Sequence, residues 1–289
     1  MKISTFSIVC GGRKCNAKCP YCVSKMTKGV GKCKNIALGD INKRNFNKAC
    51  WFAKQSGVST ALLTGVGEPL IYQSHITQIL QWLQPHEFPF IELQTNGIEL
   101  ENLSGGALPR WYTMGLDTIC LSVAHWVDKE NQEIFGDKWK SLKDNIRLLH
   151  DLGFSVRLSC VMVDGWVDSI GQVKKMIAFC QGQGVEQLTC RPVGMPDDSK
   201  SKTVRRWVMQ RSIDKEVEQE IADYFARSPK STLLLELPHG ANVYDYEGQN
   251  ISINNCLTHS TNPDEVRQLI FAEDGHLRYS WCYKGAILI

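Results

Sequence analysis

The sequence has 289 residues, of which 43% are hydrophobic and 22% are charged, and its net charge is +3. No stretch approaches the ~20 apolar residues of a membrane span, and the N-terminal residues lack a signal-peptide core, so we expect a cytoplasmic protein with no membrane partner. Because that compartment is reducing, the 12 cysteines indicate metal ligands and buried thiols and argue against a disulfide framework.

Six strand-like segments alternate with helix-like segments over the first two thirds of the chain. Apolar, β-branched runs predict strands over residues 3–9, 60–64, 90–95, 118–123, 155–163 and 187–193. The intervening segments show an apolar face at helical spacing, although the one near residues 103–114 is weak because it contains two glycines and Pro109. Alternating βα units predict an α/β fold with a parallel sheet, and six units fall short of the eight in a full barrel.

After residue 196 this alternation ends. Residues 197–211 are polar and basic, which fits either a phosphate-binding segment or a solvated loop. Apolar residues at four-residue steps predict a helix over 213–225, and strands are predicted over 233–237 and 249–253, before a hairpin that turns at Asp274–Gly275. We therefore predict a barrel core over residues 1–196. A basic linker, a helix and a β-rich C-terminal extension, residues 197–289, are expected to cover the open side of the barrel.

The loop after the first strand contains three closely spaced cysteines, Cys15, Cys19 and Cys22. Three thiolates at this spacing are able to hold three corners of a cubane iron–sulfur cluster, which leaves one iron without a protein ligand. An open metal position is where catalysis takes place, as in zinc enzymes with three protein ligands. A zinc knuckle completed by Cys10 or Cys33 is the alternative that the spacing leaves open.

Two further motifs follow the second and third predicted strands, Thr64-Gly-Val-Gly-Glu-Pro-Leu70 and Gln94-Thr-Asn-Gly97. With the three cysteines, and with Tyr21 before the last of them, these motifs resemble the radical S-adenosylmethionine (SAM) superfamily, and within it the molybdenum-cofactor cyclase-like branch. The resemblance implies a partial (β/α)6 TIM-like barrel that carries a [4Fe–4S] cluster on the three cysteines and binds SAM. It also implies reductive cleavage of SAM to a 5′-deoxyadenosyl radical that abstracts hydrogen from the substrate. Val66 departs from the family, which often has a glycine there.

The resemblance also suggests which residues contact SAM and the substrate. Glu68 is expected at the methionine ammonium and Ser122 at a ribose hydroxyl, and His125 is the candidate catalytic residue facing the substrate. The expected cofactor-binding residues are Tyr21, Gly67, Glu68, Asn96, Ser122, Arg157, Ser159, Arg191 and Val193. Structural roles remain open for several of these candidates. Each arginine is also explained by an ion pair, Asn96 by a turn, and His125 by a structural hydrogen bond.

The charge distribution bears on the substrate. Residues 1–50 carry eleven Lys or Arg and one acidic residue, a net charge of +10, whereas the remaining residues sum to −7. This basic block is either a solvated lysine face or a surface that attracts anionic partners. The second interpretation predicts an anionic small-molecule or nucleic-acid substrate, with a nucleotide or RNA base favoured. It also predicts an acidic electron donor such as flavodoxin. The alternatives are modification of a peptide or protein partner and a non-catalytic zinc or iron–sulfur module.

Two cysteines near the C-terminus, Cys256 and Cys282, raise the question of a second metal. Two are too few for a fully cysteine-ligated auxiliary cluster. With His259 and His276 they make a possible zinc set, although the spacing is irregular. The sequence does not decide this point.

Overall fold

The computed structural model of the protein describes residues 2–26, 43–195, 199, 201–237, 241–253, 265–281, 283 and 285–289. The first six strands are β1 Lys2–Val9, β2 Thr60–Thr64, β3 Phe90–Thr95, β4 Thr118–Val123, β5 Ser155–Met162 and β6 Gln187–Pro192. The later strands are β7 Ser231–Glu236, β8 Asn242–Tyr246, β9 Gln249–Ile253, β10 Glu265–Phe271 and β11 Leu277–Arg278. The helices are α1 Val23–Met26, α2 Lys43–Gln55, α3 Gln73–Leu83, α4 Leu100–Leu103, α5 Ala107–Thr113, α6 Asp128–Phe135, α7 Leu142–Asp151, α8 Ile170–Gln183, α9 Lys202–Arg211 and α10 Lys215–Arg227.

All eleven strands belong to one sheet, in the order β11-β10-β1-β2-β3-β4-β5-β6-β9-β8-β7. Strands β1 to β6 pair in parallel in chain order, and β10 and β9 add one parallel strand beside β1 and β6. Beyond them, β11 pairs antiparallel with β10 at one end of the sheet. At the other end, β8 pairs antiparallel with β9, and β7 pairs antiparallel with β8. Over the described residues the sheet is open, with β11 and β7 at its edges. This confirms the predicted α/β fold, a partial TIM-like barrel with a β-rich C-terminal extension.

The C-terminal segment continues the barrel sheet on both sides. Its strand β9 lies along β6, and its strand β10 lies along β1, with six residue pairs from Lys2↔Glu265 to Ile8↔Phe271. Strands β7 to β11 therefore share a sheet with the six-stranded core. The domain boundary at residue 196 stays a prediction.

Two segments differ from the expectation in local structure. Within the basic stretch, Lys202–Arg211 form helix α9, in which Val204 and Val208 are buried and Ser201 caps the first turn by accepting a hydrogen bond from the Val204 N–H. The weak helix near residues 103–114 is divided at Gly105 and Gly106 into α4 and α5, because glycine disfavours the helix interior. No helix in the described part of the chain has the length and apolar character needed to cross a bilayer.

The two faces of the barrel sheet differ in polarity. On the helix side, residues such as Leu93, Leu121 and Leu158 join one buried apolar cluster. On the other side, side chains of β3 and β5 hydrogen-bond across β4, so this is the concave face, and we call the space it encloses the lumen. The polar residues of this face are Thr64, Glu92, Gln94, Cys120, Ser122, Arg157, Ser159, Thr189 and Arg191.

Candidate active site

The three predicted ligands lie on the cysteine loop, residues 10–22, which joins β1 to α1 at the carboxyl end of the sheet. All three are free thiols, and Cys15 is exposed while Cys19 and Cys22 are half-buried. Burial, together with the neighbouring thiols Cys22 and Cys15, raises the pKa of Cys19 to about 12. Three thiols this close therefore need a bound cationic group to become thiolates together.

The donor set fits an iron–sulfur cluster better than a single metal ion. Among the described residues, no three His, Cys, Asp or Glu side chains converge as one ion requires. Tetrahedral zinc draws all its ligands to about 2.3 Å from one point, whereas each thiolate on a cubane binds a different iron. Cys10 does not serve as a fourth ligand, because it is fully buried and its Sγ faces the Ile8 carbonyl at 3.8 Å. Of the remaining candidates for other metal sites, Cys33, Cys256, His259 and Cys282 lie outside the described residues, whereas the Nδ1 of His276 lies 3.3 Å from the Asp274 carboxylate.

Hydrogen bonds from two other segments, the connection between β2 and α3 and the end of α6, hold the cysteine loop in place. The Glu68 N–H donates to the Lys14 carbonyl at 2.9 Å, the Lys14 N–H donates to the Tyr72 hydroxyl at 3.2 Å, and the Lys18 N–H donates to the Phe135 carbonyl at 2.8 Å. Gly67 is needed here, because a Cβ at that position would lie 2.2 Å from the Lys14 carbonyl oxygen. The structure thus places Gly67 directly against the cysteine loop.

The Glu68 carboxylate joins the end of β3 to the loop after β2. It is 3% exposed and accepts hydrogen bonds from the Thr95 hydroxyl at 2.6 Å, the Asn96 N–H at 2.9 Å and the Leu70 N–H at 3.0 Å. Burial raises the pKa of Glu68, and these three donors oppose the rise. Since a carboxylate has about four acceptor positions, one remains for a ligand.

Asn96 connects this brace to the cysteine loop. Its Nδ2 donates to the Asn16 side-chain oxygen at 2.8 Å and faces the Cys15 sulfur at 3.8 Å, while Asn16 in turn donates to Glu99 at 2.9 Å. The Ala17 N–H also faces the Cys15 sulfur, at 3.4 Å. Hydrogen bonds to a sulfur ligand tune an iron–sulfur cluster. Sequence reasoning missed Asn16, although it lies inside the cysteine motif, and it had no signal for Glu99.

Within the lumen, the half-buried Arg157 forms an ion pair with the buried Glu92. Its Nε donates to Glu92 Oε2 at 2.7 Å, its Nη2 donates to the other Glu92 oxygen, and its Nη1 donates to Thr189 at 3.3 Å. Glu92 is also within 3.4 Å of the Gln94 amide. The Arg157 guanidinium is therefore engaged by protein groups, as in the ion-pair alternative that the sequence left open.

Arg191 lies nearer the carboxyl end of the sheet. Its Nη2 donates to the Ser159 hydroxyl at 2.6 Å, and Ser159 is paired in register with Ser122 on β4. The structure thus brings three predicted binding residues together. The Arg191 Nε is buried and has no hydrogen-bond partner in the described part of the chain. Val193, just after β6, is 6% exposed and donates its N–H to the Met162 carbonyl, so its side chain packs in the core.

Tyr21 is part of the cysteine loop and packs against helix α9. Its hydroxyl is buried and has no hydrogen-bond partner among the described residues, and its ring contacts Trp207 of α9 with centroids 5.6 Å apart. Burial raises the pKa of Tyr21 strongly, while the nearby charge of Arg191 opposes that rise. The packing of Trp207 against Tyr21 is a finding of the structure.

His125 follows β4 and is held by its neighbours. The Asn131 amide bonds the Ala124 N–H, the His125 N–H and the His125 carbonyl, and the His125 Nδ1 accepts from the Val127 N–H at 3.1 Å. Burial lowers the pKa of His125, so the ring is neutral near pH 7, with its proton on Nε2. These contacts describe an ordered histidine beside the site.

Comparison with known proteins agrees with this geometry. Residues 9–201 match the sequence profile of the Radical SAM superfamily. Among curated proteins, none matches the chain. Similar solved structures include Streptococcus suis SuiB bound to S-adenosylmethionine, with a TM-score of 0.59, 15% identity and coverage of 96% of this chain and 60% of that chain. SuiB bound to the precursor peptide SuiA gives a TM-score of 0.58 at 13% identity, covering 97% and 60%.

Coproporphyrinogen III oxidase (HemN) from Escherichia coli, a radical SAM enzyme, is similar with a TM-score of 0.51 and 12% identity, covering 80% of this chain and 54% of that chain. This chain thus spans less than two thirds of the length of these proteins, and at such identities the likeness shows the fold alone. The profile match covers more than half of the chain and contains the cysteine loop and the Glu68 brace. The chain belongs to the radical SAM superfamily, whose members are enzymes that use a [4Fe–4S] cluster and SAM.

Proposed function

We propose that this protein cleaves SAM reductively, with a [4Fe–4S] cluster held by Cys15, Cys19 and Cys22, and that it acts on an anionic substrate. When bound, the reduced cluster supplies the electron that splits SAM, and the resulting 5′-deoxyadenosyl radical takes a hydrogen atom from the substrate. The protein contributes position and the exclusion of side reactions. The cyclase-like branch assignment stays a prediction.

One observation carries this proposal. Three thiols lie on a loop whose backbone is fixed by Glu68 and whose first sulfur, on Cys15, faces N–H donors from Asn96 and Ala17. A loop fixed in this way holds sulfur ligands in one arrangement before the cluster binds, which is what a site-differentiated cluster needs. A passive metal module does not require a buried carboxylate brace at the mouth of a barrel.

In the proposed arrangement, SAM lies between the cysteine loop and the polar wall of the lumen. The free acceptor position of Glu68 suits the methionine ammonium, the hydroxyls of Ser122 and Ser159 suit the ribose, and the Tyr21 backbone suits the adenine. Arg157 is not part of this proposed SAM site, because its guanidinium already donates two hydrogen bonds to Glu92. His125, neutral with a proton on Nε2, is a donor toward the substrate.

Charge at the mouth supports an anionic substrate, with a nucleotide or RNA base favoured. Lys14 and Lys18 lie on the cysteine loop, and helix α9 next to it adds exposed basic residues. Such a surface raises the local concentration of anions and suits an acidic electron donor of the flavodoxin type. A reduced cluster and reduced thiols also suit the cytoplasm, which we propose as the location.

A second candidate, modification of a peptide or protein, is favoured by a separate feature. The edge strand β7 exposes Leu233, Leu234 and Leu235 at 47%, 54% and 54%. An apolar edge strand is a template for an extended peptide that adds to the sheet. The similar fold of SuiB bound to the precursor peptide SuiA is consistent with this candidate.

The test is SAM cleavage under anaerobic conditions. The purified protein is reconstituted with iron and sulfide, reduced with dithionite and given SAM, and 5′-deoxyadenosine is measured by mass spectrometry. We expect product from the wild type and none from the Cys19→Ala variant. Nucleotides, RNA and peptides are then compared by how much each stimulates cleavage. Failure of the intact loop to assemble a cluster would move the zinc-module alternative to the front.

A further inference from the structure

Two arginines on adjacent strands of the lumen differ in how their charge is balanced. Arg157 on β5 is paired with the Glu92 carboxylate by two hydrogen bonds. Arg191 on β6 makes one hydrogen bond, to the neutral Ser159 hydroxyl, and none of the described carboxylates forms an ion pair with it. The same sheet face therefore holds one compensated and one uncompensated guanidinium.

An uncompensated guanidinium in a polar lumen favours an anionic ligand. Removing a charged group from water costs free energy that a single neutral hydrogen bond does not return, so such groups are paired in most proteins. The Arg191 Nε is buried and has no partner, which leaves a donor directed at nothing in the described chain.

A second buried donor lies at the same end of the sheet. The Tyr21 hydroxyl is buried and forms no hydrogen bond with the described residues. Arg191 is the last residue but one of β6, and Tyr21 lies on the cysteine loop that follows β1, so both residues lie toward the carboxyl end of the parallel strands, where ligands of α/β barrels bind. A guanidinium N–H and a phenol O–H offer donors only, which suits a carboxylate or phosphate oxygen.

We propose that Arg191, together with the Tyr21 hydroxyl, binds an oxyanion of the substrate, a carboxylate or phosphate group, inside the barrel. The inference rests on the proposed function, since it names the group by which the anionic substrate is held. Ser159 orients the guanidinium, and Arg157 has no part in the site. The carboxylate of SAM is the competing source of the same chemistry.

The experiment measures anion binding by the anaerobic, cluster-loaded protein, with and without saturating SAM. Inorganic phosphate and acetate are titrated at constant ionic strength set with chloride, and the melting temperature and calorimetric Kd are recorded. We expect both anions to raise the wild-type melting temperature relative to chloride. The anion that gives the larger shift indicates whether the site prefers a phosphate or a carboxylate. Arg191→Gln should weaken the binding by about ten-fold or more, the usual loss for a hydrogen bond to a charged group.

Three variants make the result decisive. Arg147→Gln, which removes an exposed arginine of α7 whose partner is Asp144, should bind anions as the wild type does. Arg191→Lys should bind them with intermediate affinity. In the ligand-free protein, Arg191→Gln should not lower the melting temperature, whereas Arg157→Gln should, because Glu92 is then left buried without its partner.

Several outcomes would overturn the proposal. One is equal anion binding by Arg191→Gln and the wild type, and another is no wild-type effect beyond that of chloride. Loss of wild-type phosphate binding in the presence of SAM, or a ten-fold loss of SAM affinity in Arg191→Gln, would assign Arg191 to the SAM carboxylate. None of these measurements depends on 5′-deoxyadenosine, so failure of the oxyanion site and failure of SAM cleavage are separate results.

Discussion

Replacing Glu68 tests whether its carboxylate braces the cysteine loop. Glu68→Ala leaves three buried donors without an acceptor, on Thr95, Asn96 and Leu70. At about 1–3 kcal/mol each, and with non-additivity, such losses sum to about 3–5 kcal/mol. Burial of the Glu68 charge is itself unfavourable, as its raised pKa indicates, so removing that charge offsets part of this loss of stability. We therefore expect the free energy of unfolding to fall by about 3 kcal/mol.

The size of the expected change in melting temperature follows from chain length. An unfolding entropy of about 2.1 cal/mol/K per residue gives about 0.6 kcal/mol/K for 289 residues, so about 3 kcal/mol corresponds to about 5 °C. Glu68→Gln keeps Oε1 and loses mainly the Asn96 bond, so we expect about 2 °C. The control Glu101→Gln breaks an exposed ion pair with Lys140 and should change the melting temperature by less than about 1 °C.

The assay is thermal unfolding of the reduced, cluster-free protein, followed by circular dichroism, with SAM affinity measured separately on the loaded protein. The order Glu68→Ala, Glu68→Gln, Glu101→Gln in decreasing loss is the expected result. If both Glu68 variants melted within 1 °C of the wild type, the brace would be refuted. A loss of SAM affinity in Glu68→Gln without loss of stability would instead assign the carboxylate to SAM alone.

Three further predictions use other parts of the chain. Cys19→Ala should lose the iron–sulfur absorption band after reconstitution, whereas Cys50→Ala, which removes a buried thiol of α2, should keep it; a full band in the first variant would contradict the ligand assignment. Trp207→Ala should lower the free energy of unfolding by about 2 kcal/mol and speed proteolysis within α9, because a half-buried aromatic contact is lost. An unchanged rate of proteolysis would show that α9 is held by other contacts. Burial raises the pKa of Asp274, but the two Arg278 hydrogen bonds more than reverse this, so the pKa is lowered. The stability advantage of the wild type over Asp274→Asn should therefore be constant from pH 7 to 5 and shrink below about pH 4, and a constant difference down to pH 2 would contradict it.

The six core strands were predictable because each apolar run ends in glycine or polar residues, and the observed bounds agree within one residue. The places of β9 and β10 were not predictable. Their pairing with β6 and β1 joins residues separated by as much as 263 positions, as in Lys2↔Glu265, and local sequence does not encode such partners. Helix α9 was missed because its apolar positions, Val204 and Val208, are few among basic residues.

The candidate site divides in the same way. The cysteines and Glu68 are marked by motifs, but the use of Glu68 as a brace depends on Thr95, 27 residues later. Arg157 and Arg191 look alike in sequence, each a lone arginine in a strand. Only the fold reveals that Glu92, 65 residues before Arg157, pairs with that arginine, while Arg191 has no acidic partner among the described residues.

The predicted boundary at residue 196 has a direct test in a fragment of residues 1–196. The fragment lacks β10, which pairs with six residues of β1, and β9, which pairs with four residues of β6. Both edges of the remaining sheet then present unpaired backbone groups beside apolar side chains, an arrangement that promotes aggregation. We expect the fragment to be insoluble or to lack a cooperative thermal transition. A monomeric fragment that melts cooperatively and assembles the cluster would show that the core folds alone, and that the shared sheet is not required for its stability.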